Sequence, residues 1–164
     1  HIFCSGFLFK EKPKRRRINK EKIPPHTSLL HIIALKDGKD IYDEEGHLLF
    51  NNADVTFPPR KSRSYAYCSD TAYSESIFSQ INKIDLLYHE ATFLHDLKER
   101  AILTHHSTAS DAASTAKNSD VKCLLIGHFS SRYKDLEPFL EEAKSIFSNT
   151  FLAIEGQKFC IKDE

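Results

Sequence analysis

The sequence contains no methionine and no tryptophan, and its 164 residues include only five glycines, six prolines and four cysteines. So little Gly and Pro excludes a collagen-like or low-complexity chain, and twelve phenylalanines within a 40% hydrophobic content exclude wholesale disorder. No run approaches the roughly 18 consecutive apolar residues of a membrane-spanning helix, so a soluble protein is expected. The opening His1-Ile2-Phe3-Cys4-Ser5-Gly6 lacks the order of a secretory leader, which points to the cytoplasm. Cys4, Cys68, Cys123 and Cys160 form no C-x-x-C pair of the kind that builds zinc knuckles or redox motifs, and are expected to be buried thiols. The lack of Met even at the first position implies a segment of a longer product. What remains is one domain's worth of chain, long enough to bury a core.

Net charge is also lacking, since 23 Lys+Arg balance 23 Asp+Glu, but the balance is uneven along the chain. Residues 10–22 hold eight basic and two acidic residues, among them Lys14, Arg15, Arg16 and Arg17, which leaves 15 basic and 21 acidic elsewhere. Clustered Lys and Arg suit a polyanion such as nucleic acid, because binding releases counterions from phosphates. A solvated basic loop is the other reading of the same run.

Residues 2–9 alternate like a strand. Residues 18–61 are rich in turn formers, with Pro24-Pro25, Gly38, Glu44-Glu45-Gly46, Asn51-Asn52 and Pro58-Pro59 around one short helix near 28–36. This stretch reads as an excursion with little core of its own. Beyond it the pattern becomes regular. Strands are expected at Ser64–Cys68, Ile84–Tyr88, Val121–Ile126, Thr150–Ile154 and Lys158–Ile161. Helices are expected at Ser74–Ile81, Thr108–Asn118 and Asp135–Phe147, the last with Leu136, Phe139, Leu140, Ala143 and Phe147 on one face. Alternating strands and helices of these lengths imply a layered α/β body.

Polar clusters follow the strands: Tyr67-Cys68-Ser69-Asp70-Thr71, Leu87-Tyr88-His89-Glu90-Ala91-Thr92 and Ile126-Gly127-His128-Phe129-Ser130-Ser131-Arg132-Tyr133, with Thr104-His105-His106-Ser107-Thr108 between the last two. Five of the nine histidines fall between 89 and 128, as at a metal or acid–base site on the strand ends of an α/β sheet. Singly, each residue has a structural reading: Asp70 as an Asx turn or cap, Ser107 or Thr108 as the cap of the Ala-rich helix, His89 as a buried strand residue. Together they are hard to explain by folding, because buried ionisable groups cost stability unless paired.

In their order, Tyr67-Cys68-Ser69-Asp70-Thr71, His89-Glu90-Ala91-Thr92, His106-Ser107-Thr108-Ala109 and Gly127-His128-Phe129-Ser130-Ser131-Arg132-Tyr133 resemble the motifs of ribonuclease Z, the tRNA 3′-processing endonuclease family of the metallo-β-lactamase superfamily. The resemblance implies an α/β fold, the C-terminal half of an αββα sandwich with an inserted projecting arm. It divides the chain into an opening strand at 1–11, a tRNA-binding arm at 12–61 and the body at 62–164. It implies zinc as cofactor, Asp70 as the carboxylate bridging two ions, and His128 as a terminal ligand. His106 resembles the proton donor to the leaving group and Glu90 the residue that orients it, a task an imidazole suits near neutral pH. Arg132, Lys14, Arg15, Arg16 and Arg17 are expected to meet substrate phosphates, with a structural ion pair as the other reading of Arg132. The partners implied are precursor tRNA and a second copy in a homodimer. One departure lies in the arm, where Pro24-Pro25 is followed by His26-Thr27 rather than by the Gly-Pro pair often found in relatives.

A larger departure is the absence of His-x-His-x-Asp-His, the family's main metal signature. Two ligands cannot complete a four-coordinate zinc shell. The chain is therefore expected to be the C-terminal half, incomplete as an enzyme without its N-terminal half, and to self-associate through an uncovered sheet face. A catalytically incomplete RNA-binding module, or a superfamily phosphodiesterase or esterase with another substrate, are the alternatives.

Overall fold

The structure, a computed structural model, describes residues 4–162. In chain order its elements are β1 (Phe7–Lys10), β2 (Arg17–Ile18), α1 (Leu29–Lys36), β3 (Ile41–Tyr42), β4 (Leu48–Phe50), α2 (Asn52–Val55), β5 (Thr56–Phe57), β6 (Ser64–Cys68), β7 (Leu86–Glu90), α3 (Lys98–Thr104), α4 (Ala109–Asn118), β8 (Leu124–Gly127), α5 (Glu137–Ile146) and β9 (Thr150–Leu152). Among the described residues they fall into two compact units, one of residues 4–10 with 63–161 and one of residues 11–62 with 162. Residues 1–3, the start of the expected opening strand and of the 1–11 segment, lie outside the described residues.

The first unit is built on a five-stranded sheet in the order β1-β6-β7-β8-β9. β1 runs antiparallel to β6, and the other neighbours are parallel. Side chains alternate across a strand, so Ala66, Leu87, Leu124 and Ile126 share one face, which α4 and α5 cover. α4 lies close to the sheet because Ala109, Ala112, Ala113 and Ala116 form a stripe at helical spacing, all fully buried. Thr108 caps it, its hydroxyl and the Asp111 carboxylate exchanging bonds with each other's backbone N–H. Fully buried Phe139 and Ala143 bring α5 onto the same core. The other face carries Phe7, Phe9, Tyr65, Tyr67, Leu86, Tyr88, Leu125 and Phe151, by the pairing register. On it Phe9 stacks with Tyr65 and Tyr67 with Tyr88. Burial, reinforced by Tyr67 and Tyr65, pushes the Tyr88 phenol up to about 12.

The second unit has a small core of Ile23, Leu35, Ile41 and Val55. α1 is capped by the Ser28 hydroxyl, which accepts from the His31 N–H. Two ribbons, β2 with β5 and β3 with β4, complete it. The buried Asn52 side chain ties it together by donating to the Leu35 and Lys39 carbonyls.

Several expectations are corrected. Ser74–Ile81 is not a helix but a single 3₁₀ turn at Glu75–Ile77, and Lys158–Ile161 forms no strand. β7 begins at Leu86 rather than Ile84, and β8 at Leu124 rather than Val121. Cys68 is buried, which raises its thiol pKa, but Cys4 and Cys160 are exposed. No helix among the described residues is long and apolar enough to cross a membrane.

Candidate active site

Because β6, β7 and β8 are parallel, their C-terminal ends lie along one edge of the sheet, where open α/β sheets hold their ligands. Glu90 ends β7, Asp70 follows β6 by two residues, and His128 follows β8 directly. Asp70 and His128 both adopt left-handed backbone, φ 49° and 61°. Non-glycine residues seldom occupy this region, and when they do they concentrate at functional positions. The turn directs both side chains to one point: His128 Nε2 lies 3.1 Å from Asp70 Oδ1.

His106 arrives from a separate loop. His105, at φ 59°, ends α3 and turns the chain, while the His106 N–H is held by the Ala101 carbonyl. Phe93 and Thr108 then form a parallel bridge that pins the loop beside the end of β7. His106 is thereby brought to Glu90, with Nδ1 2.9 Å from Oε1. One ligand atom each from Asp70, His106 and His128 lie within 4.8 Å of one another.

Glu90 is fully buried, yet four groups donate to its two oxygens. Oε1 accepts from the Thr71 N–H at 2.6 Å and from His106 Nδ1; Oε2 accepts from the Thr92 hydroxyl at 2.6 Å and the Ser107 N–H at 3.1 Å. A carboxylate has no proton to give, and this shell meets its need for donors in place of water. The carboxylate is therefore held rigidly against His106.

Asp70, Glu90, His106 and His128 thus converge. Arg132 does not join them: its guanidinium lies over the Phe93 ring at 5.1 Å and its Nε donates to Ser130 Oγ. Sequence reading missed Thr92, Thr71 and Ser107. Thr92 stands inside the His89-Glu90-Ala91-Thr92 motif, two residues past Glu90, and that spacing was the available signal. His89 points into the core, fully buried.

In the second unit, Lys14 pairs with Glu11, Arg15 with Asp37, Arg16 donates to Thr56 Oγ1, and Arg17 donates to the Pro58 carbonyl beneath its stacking on Phe57. Arg15, Arg16, Arg17, Lys20 and Lys36 line a cavity of about 800 Å³ with Pro24.

No family model matches the chain. In sequence it is 54% identical over 162 residues to a ribonuclease Z of Cytophaga hutchinsonii, covering 99% of this chain and 52% of that protein. It is 43% identical over 163 residues to a ribonuclease Z of Bacteroides thetaiotaomicron, covering 99% and 51%. The resemblance to ribonuclease Z holds along the whole chain. The chain spans about half the length of the curated relatives it matches. Among solved structures it is similar to a metallo-β-lactamase fold protein of Bacillus subtilis, with a TM-score of 0.51 at 24% identity over 55% of this chain and 36% of that one. The α/β body is accordingly part of a metallo-β-lactamase fold, as the motifs implied.

Proposed function

We propose that the chain is the C-terminal half of a zinc-dependent endoribonuclease that removes the 3′ trailer from precursor tRNA. The observation that carries this reading is the convergence of Asp70 and His128 beside the Glu90–His106 pair, in a sequence resembling ribonuclease Z throughout. The donor set suits zinc: carboxylate oxygen and imidazole nitrogen bind it at about 2.0–2.2 Å, so two ligands of one ion stand near the 3.1 Å separating Asp70 and His128. When bound, zinc supplies a Lewis acid for the phosphoryl oxygen and an activated water. Asp70 and His128 would hold it from this half, with the remaining ligands coming from the N-terminal half. His106 donates a proton from Nε2 to the departing oxygen, because its Nδ1–H is committed to Glu90. Glu90 keeps that tautomer and ring orientation.

The basic second unit, residues 12–61 in our division, contacts tRNA phosphates through Lys14, Arg15, Arg16 and Arg17, while Arg132 meets phosphate nearer the reaction. Phosphate contacts position without reading sequence. The protein acts as a cytoplasmic homodimer in this reading. The basic cavity favours one alternative, an RNA-binding module without catalysis.

The test is cleavage of a 3′-extended precursor tRNA with zinc, by this chain alone and after co-refolding with the upstream half. Cleavage at the discriminator end in the mixture only is expected; none in a folded, metal-loaded mixture would favour the binding module. In the active protein, His106→Ala is expected to lower tRNA cleavage about 100- to 10,000-fold, while retaining zinc and sparing an activated phosphodiester whose leaving group needs no proton. Loss of zinc from that variant would instead make His106 a third ligand.

A further inference from the structure

We infer that Thr92 is a positioning residue that sets the tautomer of His128 and joins it to the Glu90–His106 pair. The inference rests on the reading of His128 as a metal ligand.

Thr92 is buried two residues past the end of β7. Its Oγ1 lies 2.6 Å from Glu90 Oε2, 2.9 Å from His128 Nδ1, 3.0 Å from the His128 carbonyl oxygen and 3.3 Å from His106 Nδ1. A hydroxyl has one proton to distribute among these neighbours. Glu90 Oε2 is the closest acceptor and bears charge, so the proton goes there. Oγ1 then has only lone pairs left for His128 Nδ1. That nitrogen must carry hydrogen to bond at 2.9 Å, and the neutral ring is left with a bare Nε2. Nε2 is the atom that faces Asp70. The His128 lone pair is thus aimed where a metal shared with Asp70 would sit. An imidazole ligand depends on an acceptor behind its other nitrogen in this way.

His106 obeys the same logic through the other carboxylate oxygen, since Oε1 accepts from its Nδ1. Glu90 therefore sets both imidazoles, one directly and one through the Thr92 hydroxyl. His106 turns its Nδ1–H to the buried carboxylate and His128 turns its own to the Thr92 hydroxyl, which leaves the Nε2 of His128 for a metal and that of His106 for a proton. Without the Thr92 hydroxyl, His128 loses its acceptor. The hydrogen then moves to Nε2, where Asp70 accepts it, and this competes directly with metal.

The experiment uses the full-length protein with ¹⁵N,¹³C-labelled histidine, stripped of metal, at a pH where imidazoles are ordinarily neutral. NMR of the unmutated protein should show His128 with hydrogen on Nδ1; hydrogen on Nε2 overturns the inference without any variant. In Thr92→Val, of similar shape, His128 should switch to Nε2–H. Zinc affinity, measured by competition with a chromophoric chelator, should fall about 10- to 100-fold. Thr92→Ser should restore both. Equal loss in the Ser and Val variants, or an unchanged tautomer in Val, would reduce Thr92 to packing. Cleavage assays add a fall in kcat with KM for precursor tRNA unchanged. The tautomer and zinc readouts require no tRNA cleavage, so they decide the role of Thr92 even if the proposed substrate is wrong.

Discussion

His89 carries an imidazole into the core under α4, and its two nitrogens fare differently. Nδ1–H donates to the Glu90 carbonyl at 2.8 Å, while Nε2, equally buried, has no hydrogen-bond partner among the described residues. Burial lowers its pKa below the ordinary value, with the Glu90 carbonyl and the Glu90 and Asp111 charges opposing only in part. The folded state thus resists protonation that the unfolded chain accepts. Its contribution to stability is present above the unfolded pKa, about 6.5, and is lost as pH falls below that toward the depressed folded value. Denaturant midpoints measured from pH 7.5 down to pH 4.5 should therefore decline, and His89→Leu should flatten that decline. The same variant should cost about 1–3 kcal/mol at pH 7.5, because it leaves the Glu90 carbonyl without its donor. A slope unchanged by His89→Leu would assign the acid loss to other groups. The residue is thus structural, although it abuts Glu90 and shares its motif.

Elements convert these residues into a site, and the joint between β7 and β8 is a tight one. Gly127 pairs with Glu90 across the parallel ladder and directly precedes His128. A Cβ on Gly127 would come within 2.6 Å of the Tyr88 hydroxyl oxygen and 2.8 Å of its ring. Gly127→Ala is expected to displace the Tyr88 ring from Tyr67 and to cost about 1–3 kcal/mol, the usual range for overpacking. A double-mutant cycle with Tyr88→Ala checks this: the cost should disappear once the ring is gone, and a persisting cost would place the strain in the backbone. Such joints explain what sequence could disclose. Strand Ser64–Cys68 was legible because its alternation is complete, and the Ala-rich helix because Thr108 and Asp111 announce its start. The motif residues Asp70, Glu90, His106 and His128 were legible as a group because each follows or ends a strand or precedes a cap. Thr92 was not, since its importance arises from distances to three other segments. The 74–81 stretch misled because Ile77, Phe78 and Ile81 have helical spacing, whereas the chain there forms a short 3₁₀ helix and then a hydrogen-bonded turn onto the Ile77 carbonyl. Phe159 and Ile161 look strand-like, but Gly156, at φ 79°, turns the chain after β9 and no strand pairs there.

At the scale of the whole molecule, α4 and α5 cover one face of the first unit's sheet, and among the described residues the other face is buried at Leu86 and Leu125 but open toward its edges. α4 and α5 bury Leu87, Leu124 and Ile126, while the opposite face leaves Phe7 and Phe9 each 57% exposed and Phe151 47% exposed. Exposed aromatic surface of this kind marks an interface. The matched relatives are about twice as long, and a chain without the remainder has a second copy of itself as the available cover. Concentration-dependent self-association is therefore expected of the isolated chain. Sedimentation velocity across the micromolar range should show species larger than a monomer. Phe7→Lys with Phe9→Lys should return them to monomer, because two ammonium groups on one face repel and resist desolvation. Both positions lie on edge strand β1 and outside the α4–α5 core, so the double variant should keep its helical circular dichroism. A variant that stays associated would move the interface away from this face. A wild-type chain that is monomeric at every concentration would mean that the aromatic stacks suffice to keep the face in water.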